Sequence, residues 1–225
     1  ALFREASLGE HGGDPAAKEA VRYRAALYYG LESIKDRPLS ARTAIEICRI
    51  VTNIDLDVRS VPVTLRNRHT GEVIYTPPQQ PERLRSLLSN WEKYLHDSAD
   101  IDPLIRMSVL HYQFEAIHPF EDGNGRTGRI LNILCLIQEG LLDLPTLYLS
   151  RYILRNRGDY YRLLERVTSH AEWEQWIIYM LTAVQETSSW TTNKIRAIRG
   201  LMDETKAYVQ QAAPQIYSSE LIDLI

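Results

Sequence analysis

Between His118 and Arg129 the chain reads His-Pro-Phe-Glu-Asp-Gly-Asn-Gly-Arg-Thr-Gly-Arg. This short segment holds the side chains that transfer of a phosphorus-containing group requires. Gly123 and Gly125 permit backbone conformations and close approaches that a side chain would block. Asn124 is a residue type favoured near a helix start. If a helix opens here, the amides of its first turn are unpaired and face an incoming anion. Arg126 and Arg129 would then stand in that first turn, where the helix dipole disfavours cations unless an anion offsets them. Their spacing puts both guanidinium groups on one face. Two arginines and a ring of amides suit a di- or triphosphate. Asp122 is a carboxylate beside such a site, the usual partner of a phosphate-bound Mg²⁺. His118 is the one group here expected to titrate near neutrality, and it could take a proton from an attacking hydroxyl. No Gly-Lys-Ser/Thr follows, so this is not a Walker A loop.

The elements that must position this loop are helical. Asp14-Pro15 reads as a cap with proline at the first helical position, opening an amphipathic stretch to about Ser33. Ser40 caps a second helix through about Thr52, and Thr43 with Glu46 has capping-box spacing. The period then changes. Val61–Asn67 and Glu72–Thr76, split by Arg68-His69-Thr70-Gly71, read as a β-hairpin that Pro77-Pro78 ends. Pro81 starts a helix with Leu84, Leu87, Leu88, Trp91 and Leu95 on one face. Asp102-Pro103 caps the next, with Ile105, Val109, Tyr112 and Ile117 inward. Beyond the loop, Ile130, Leu131, Leu134 and Ile137 mark a helix that stops at Gly140. Short helices follow near 150–155 and 159–167, then a long one from about Ala171 to Ala207. The expected fold is all-α, a helical bundle with one protruding β-hairpin flap and no internal repeat.

Composition narrows the function. The chain has 225 residues, 44% hydrophobic and 24% charged, with a net charge of −3. That composition is globular, and it supplies no field strong enough to hold nucleic acid or an acidic membrane. Arg49, Arg59, Arg66 and Arg68 are too sparse for a nucleic-acid face. No apolar run approaches the ~20 residues of a membrane span. Cys48 and Cys135 lie among apolar neighbours and match no zinc spacing, so they read as buried free thiols of a reducing, cytoplasmic compartment. His111 has no ligand cluster around it and reads as structural.

The segment from His118 to Arg129 resembles the Fic motif, His-Pro-Phe-x-(Asp/Glu)-Gly-Asn-Gly-Arg-x-x-Arg, at every fixed position. The lead-in Tyr112-Gln113-Phe114-Glu115-Ala116-Ile117 is similar to the family as well. Thr70-Gly71-Glu72-Val73-Ile74-Tyr75-Thr76-Pro77-Pro78 resembles its flap. The resemblance runs from about Lys18 to Val184. It implies a protein adenylyltransferase that moves AMP from ATP to a Ser, Thr or Tyr hydroxyl of a target protein, possibly itself. By the same resemblance, His118 is the general base and Asp122 holds Mg²⁺. Gly123, Asn124 and Gly125 form the anion hole, while Arg126 and Arg129 bind phosphates. Phe120 anchors the loop in the core, and Tyr161 packs on the adenine. Ile74, Tyr75 and Thr76 of the flap align the target by strand addition.

Many members carry an inhibitory helix, (Ser/Thr)-x-x-x-Glu-(Gly/Asn). Thr168–Glu172 and Thr182–Glu186 have the spacing but are followed by Trp173 and Thr187, and both lie after the motif. Leu2-Phe3-Arg4-Glu5 resembles the segment just after that helix in class II proteins, so an N-terminal inhibitory helix is expected to precede this chain. The tail from Pro214 resembles the entry to a winged-helix module found in some bacterial members, which makes DNA a partner only through that tail. A homodimer is expected by analogy alone. The expected divisions are 1–35, an N-terminal helical region; 36–208, the Fic domain with its C-terminal helices; and 209–225, the truncated module. The alternatives are a nucleotide-sensing regulatory module acting through a partner, or a Fic enzyme using another donor.

Overall fold

The computed structural model describes residues 14–66, 70–215 and 218. The expectations for Leu2 to Glu5, for Arg68 and His69 in the hairpin turn, and for Ser219 to Ile225 lie outside the described residues. Eight helices and a two-stranded antiparallel sheet form the described part. α1 (Pro15–Asp36) starts where Asp14 accepts a hydrogen bond from the Ala16 amide. α2 (Ala41–Thr52) is capped by Ser40, which accepts from the Thr43 amide. Thr43 is therefore inside the helix and buried, and Ser40 rather than Thr43 is the cap.

β1 (Leu65–Arg66) and β2 (Val73–Tyr75) pair as Leu65↔Tyr75 and Arg66↔Val73, with a register shift between them. The strands are shorter than the alternation predicts. Residues before β1 have Gln79 as their partner instead: its side chain accepts from the Val63 amide and donates to the Val63 carbonyl, both at 3.0 Å. A side chain thus takes the place of a strand ladder.

α3 (Pro81–Asp97) packs against α4 (Pro103–Ile117), and α4 packs against α5 (Asn124–Gln138). α6 (Leu149–Arg155), α7 (Arg157–His170) and α8 (Trp173–Ala212) close the bundle. α8 runs five residues past its expected end and is continuous across position 208, where a domain boundary was expected.

α4 is the central element, with α3, α5, α7 and α8 all against it. It is consequently buried nearly all round. Met107, Leu110, Phe114 and Ile117 are fully buried, and so are Arg106, Ser108 and His111. The face expected from Ile105, Val109 and Tyr112 is only half-buried, because a single-stripe pattern does not describe a helix with neighbours on every side. Several of its buried polar groups have partners, while Arg106 Nε and Glu115 Oε1 have none among the described residues. Arg106 donates to the Ser98 carbonyl at 3.1 Å and forms an ion pair with Glu139 beyond the end of α5. Trp176 of α8 donates to the Ser108 carbonyl at 2.8 Å, and Trp91 of α3 to the Leu110 carbonyl at 3.1 Å. These bonds fix the height of α4, and therefore of the loop that leaves its end. No helix among the described residues is long and apolar enough to cross a membrane.

Candidate active site

The loop begins where α4 ends. His118 is the C-cap in the left-handed conformation (φ 48°), with its amide bonded to the Phe114 carbonyl at 3.0 Å. A non-glycine residue with positive φ is uncommon, and His is among those several-fold enriched there. Phe120 is fully buried and its ring lies 6.1 Å from that of Phe114. Asn124 then clamps the turn. Its Oδ1 accepts from the Phe120 amide at 2.9 Å and its Nδ2 donates to the Phe120 carbonyl at 2.8 Å. The Asn124 side chain is thereby committed to shaping the loop, which leaves the backbone amides as the groups free to meet an anion.

Gly123 is the N-cap of α5 at φ 83°. A Cβ there would stand 2.8 Å from Thr52 Cγ2 and 2.9 Å from Cys48 Sγ, so both conformation and space demand glycine. No side chain caps α5, which leaves its first-turn amides for a ligand. Gly125 follows in that turn. Cys48, read from the sequence only as a buried thiol, in fact touches the site: its Sγ–H donates to the Asp122 carbonyl at 3.3 Å. Burial pushes that thiol up to about 11.

The two arginines are placed differently. Arg126 is paired, at 3.0 Å with Glu19 of α1 and at 2.8 Å with Asp122. A phosphate at Arg126 must compete with both carboxylates. Arg129 bends back along the helix, with Nη1 3.2 Å from the Cβ position of Gly125. Its Nε is buried without a hydrogen-bond partner among the described residues. Asp122 is exposed, and its Oδ1 also accepts from the Gly123 amide at 2.6 Å. The described residues contain no group of three ligating side chains. One carboxylate beside a phosphate site still fits Mg²⁺, which takes most of its ligands from phosphate and water.

His118 does not titrate near neutrality. Burial is the main cause and lowers it to about 4, aided by Arg59 and opposed by the Glu115 carbonyl and Asp122. The imidazole is therefore neutral and available as a base at physiological pH. His111 is a buried structural residue here, with Nε2 2.9 Å from Tyr160 Oη and Nδ1 3.1 Å from Asn132 Nδ2. Tyr160 is buried, whereas Tyr161 is 42% exposed, with the Arg157 guanidinium 5.4 Å from its ring. Ile74 and Thr76 are exposed on the flap, and Tyr75 Oη donates to the Ala116 carbonyl at 2.9 Å. That bond hangs the flap on the last turn of α4.

Arg59 is the site residue that sequence reasoning missed. It is 2% exposed. Its guanidinium donates to the carbonyls of His118 (2.8 Å), Val61 (3.1 Å) and Pro78 (2.5 Å), and its amide donates to the Pro119 carbonyl at 2.9 Å. It joins the loop after α4 to both ends of the flap. A lone arginine between Val58 and Ser60 carries no signal of this; only the fold brings the three carbonyls together.

A model of the Fic/DOC family matches residues 38–136, which contain this whole loop and the flap. These residues form a domain of that family. A protein adenylyltransferase fic-1 of Caenorhabditis briggsae is 32% identical over 174 residues, 74% of this chain and 33% of that protein. A probable protein adenylyltransferase of Aquifex aeolicus is 39% identical over 77 residues, 34% of this chain and 23% of that protein. The chain thus spans a third or less of these curated relatives. A solved Fic family protein from Desulfovibrio desulfuricans superposes with a TM-score of 0.69 at 25% identity, covering 86% of this chain and 58% of that one. The Fic fold therefore accounts for the bundle, the flap and the loop between α4 and α5.

Replacing Arg59 leaves the carbonyls of His118, Val61 and Pro78 short of a donor. Arg59→Met should lower stability by about 2 kcal/mol or more, with Arg59→Lys in between. Urea unfolding measures this, and a wild-type midpoint for Arg59→Met would refute the linking role. Glu19→Gln frees one side of Arg126 and should tighten pyrophosphate binding by up to about fivefold, the range of an exposed ion pair. Titration calorimetry would show it; unchanged or weaker binding would mean that Glu19 does not compete.

Proposed function

We propose that this chain contains the catalytic part of a protein adenylyltransferase, which moves AMP from ATP to a hydroxyl of a protein. One observation carries the reading: a neutral histidine stands at one end of a short loop whose other end is an uncapped helix turn with two arginines. Donor binding, base and leaving-group stabilisation then lie within one rigid turn. The adenylyltransferase names of the relatives agree with it.

The target segment pairs with the open edge of β2, so that Ile74, Tyr75 and Thr76 set the height of its hydroxyl. His118 takes the proton from that hydroxyl as the oxygen attacks the α-phosphorus. The bond from the α-phosphorus to the bridging oxygen breaks, and pyrophosphate leaves. The amides of the first turn of α5 stabilise the charge on the reacting phosphate. Arg126 and Arg129 hold the departing phosphates, once Arg126 has exchanged its carboxylates for them. Asp122 would hold Mg²⁺, whose contribution is to neutralise phosphate charge. Tyr161 presents an exposed ring for the base.

Incubation with ATP labelled on the α-phosphate tests the reading, with label sought on the chain itself and on lysate proteins. His118→Ala should lose at least about 10²-fold in transfer while ATP affinity stays within a few-fold. Bound ATP with no transfer by the wild type would favour a regulatory module or another donor. The pH profile is a second check. Because burial lowers His118 to about 4, kcat/KM should keep its base form until the pH falls toward that value. An acidic limb centred near 6.5, the ordinary histidine value, would contradict the buried neutral base.

A further inference from the structure

Glu115 lies on the last turn of α4, between the structural His111 and the base His118, and the proposed mechanism gives it no task. Its Oε1 is buried and has no hydrogen-bond partner among the described residues. The glycines of α5 locate it. That oxygen stands 2.9 Å from where a Cβ on Gly128 would be and 3.8 Å from the same point on Gly125. The carboxyl is thus pressed against the first two turns of α5, in the space that two missing side chains leave. Arg129 reaches the same point on Gly125 with its Nη1, at 3.2 Å. Carboxyl and guanidinium converge on one position without forming a direct ion pair, and Arg129 Nε is left unpartnered too.

We propose that Glu115 is the positioning residue for Arg129, and that binding of a phosphate at this arginine is coupled to uptake of one proton by the Glu115 carboxyl. The coupling is electrostatic. Buried without a partner, a carboxylate is costly, and a proton is the alternative. The positive charge of Arg129 is what opposes that proton. A phosphate on Arg129 cancels this opposition and adds negative charge of its own. The proton comes from the buffer, settles on the carboxylate, and no other bond changes.

The surrounding groups leave this role to Glu115. Burial raises it to about 7, with Arg129 pulling the other way. On its own helix, His111 is held to about 3, and at the end of that helix His118 is held to about 4. Tyr160 of α7 faces it with a hydroxyl raised well above the ordinary tyrosine value, and Tyr23 of α1, which faces Arg129, is raised as well. Between pH 6 and 8, Glu115 is the member of this group that changes charge.

The inference rests on the nucleotide-binding reading of this site, and one experiment separates the two. ATP binding with Mg²⁺ is measured by calorimetry at pH 6, 7 and 8, in buffers of different ionisation heat, for the wild type and for Glu115→Gln. The probe's own titration is common to both proteins and cancels in their difference. At pH 6 the two should bind alike within about twofold. At pH 8 the wild type should bind up to about tenfold more weakly than Glu115→Gln, because only the wild type must take up a proton. At pH 7 the wild type should take up about half a proton more than the variant. Equal pH dependence and equal proton uptake would overturn the role of Glu115 and leave nucleotide binding standing. No ATP binding by either folded protein, checked by thermal unfolding, would remove both.

Discussion

The buried guanidinium of Arg59 holds together two stretches of irregular chain that have little else to fix them. The flap contributes only five strand residues to its own ladder, far too few to stand alone. The loop after α4 has no regular structure until Asn124. Arg59 takes carbonyls from both, and its planar fork suits three acceptors lying in different directions better than a rotating ammonium would. Burial sharpens the constraint, because a guanidinium away from water needs every acceptor it can reach. The distance between the flap and the loop after α4 is therefore held by the reach of Arg59, together with the bond from Tyr75 to the Ala116 carbonyl.

The second constraint is that the first turn of α5 stays bare. Nearly every residue around it acts to shape the loop without covering those amides. Asn124 could have capped the helix had it stood one position earlier; at the first helical position it instead binds back to Phe120. The cap position belongs to Gly123, which has no side chain to offer. Phe120 ties the tight turn to the core, where its burial anchors the backbone. The turn is rigid and its amides are uncapped, the combination that electrostatic stabilisation requires, since donors already oriented need not reorganise when charge develops.

Much of this was legible in the sequence, for identifiable reasons. The caps at Asp14, Ser40 and Asp102 depend on local chemistry alone, and the structure has them where the sequence puts them. The loop was legible because its residue types are individually unusual at a helix start. What escaped depends on contacts between distant segments. Gln79 replaces a strand partner from sixteen residues away. Arg59 reaches residues on both sides of it. The Glu19 contact with Arg126 spans 107 positions. Local pattern also misjudged α4, whose burial on all sides hides any stripe, and it assigned His118 an ordinary titration because nothing local reveals how deep the ring lies.

Burial also moves the titrating groups at the end of α4 toward their neutral forms. Moving an ionisable group out of water favours its neutral form, and it does so in opposite directions for bases and acids. His118 loses its proton and Glu115 gains affinity for one, so both tend toward neutrality within a turn of each other at the end of α4. Arginine does not respond this way, because its intrinsic basicity is too high for burial to discharge it. The burial that lowers His118 and raises Glu115 lowers Arg59 as well, but leaves it a cation. A phosphate approaching the first turn of α5 would meet uncapped helix amides and two arginines, of which Arg126 is already paired with Glu19 and Asp122. The balance of charge around that turn depends on what low dielectric does to each residue type as well as on the pairs that the arginines make.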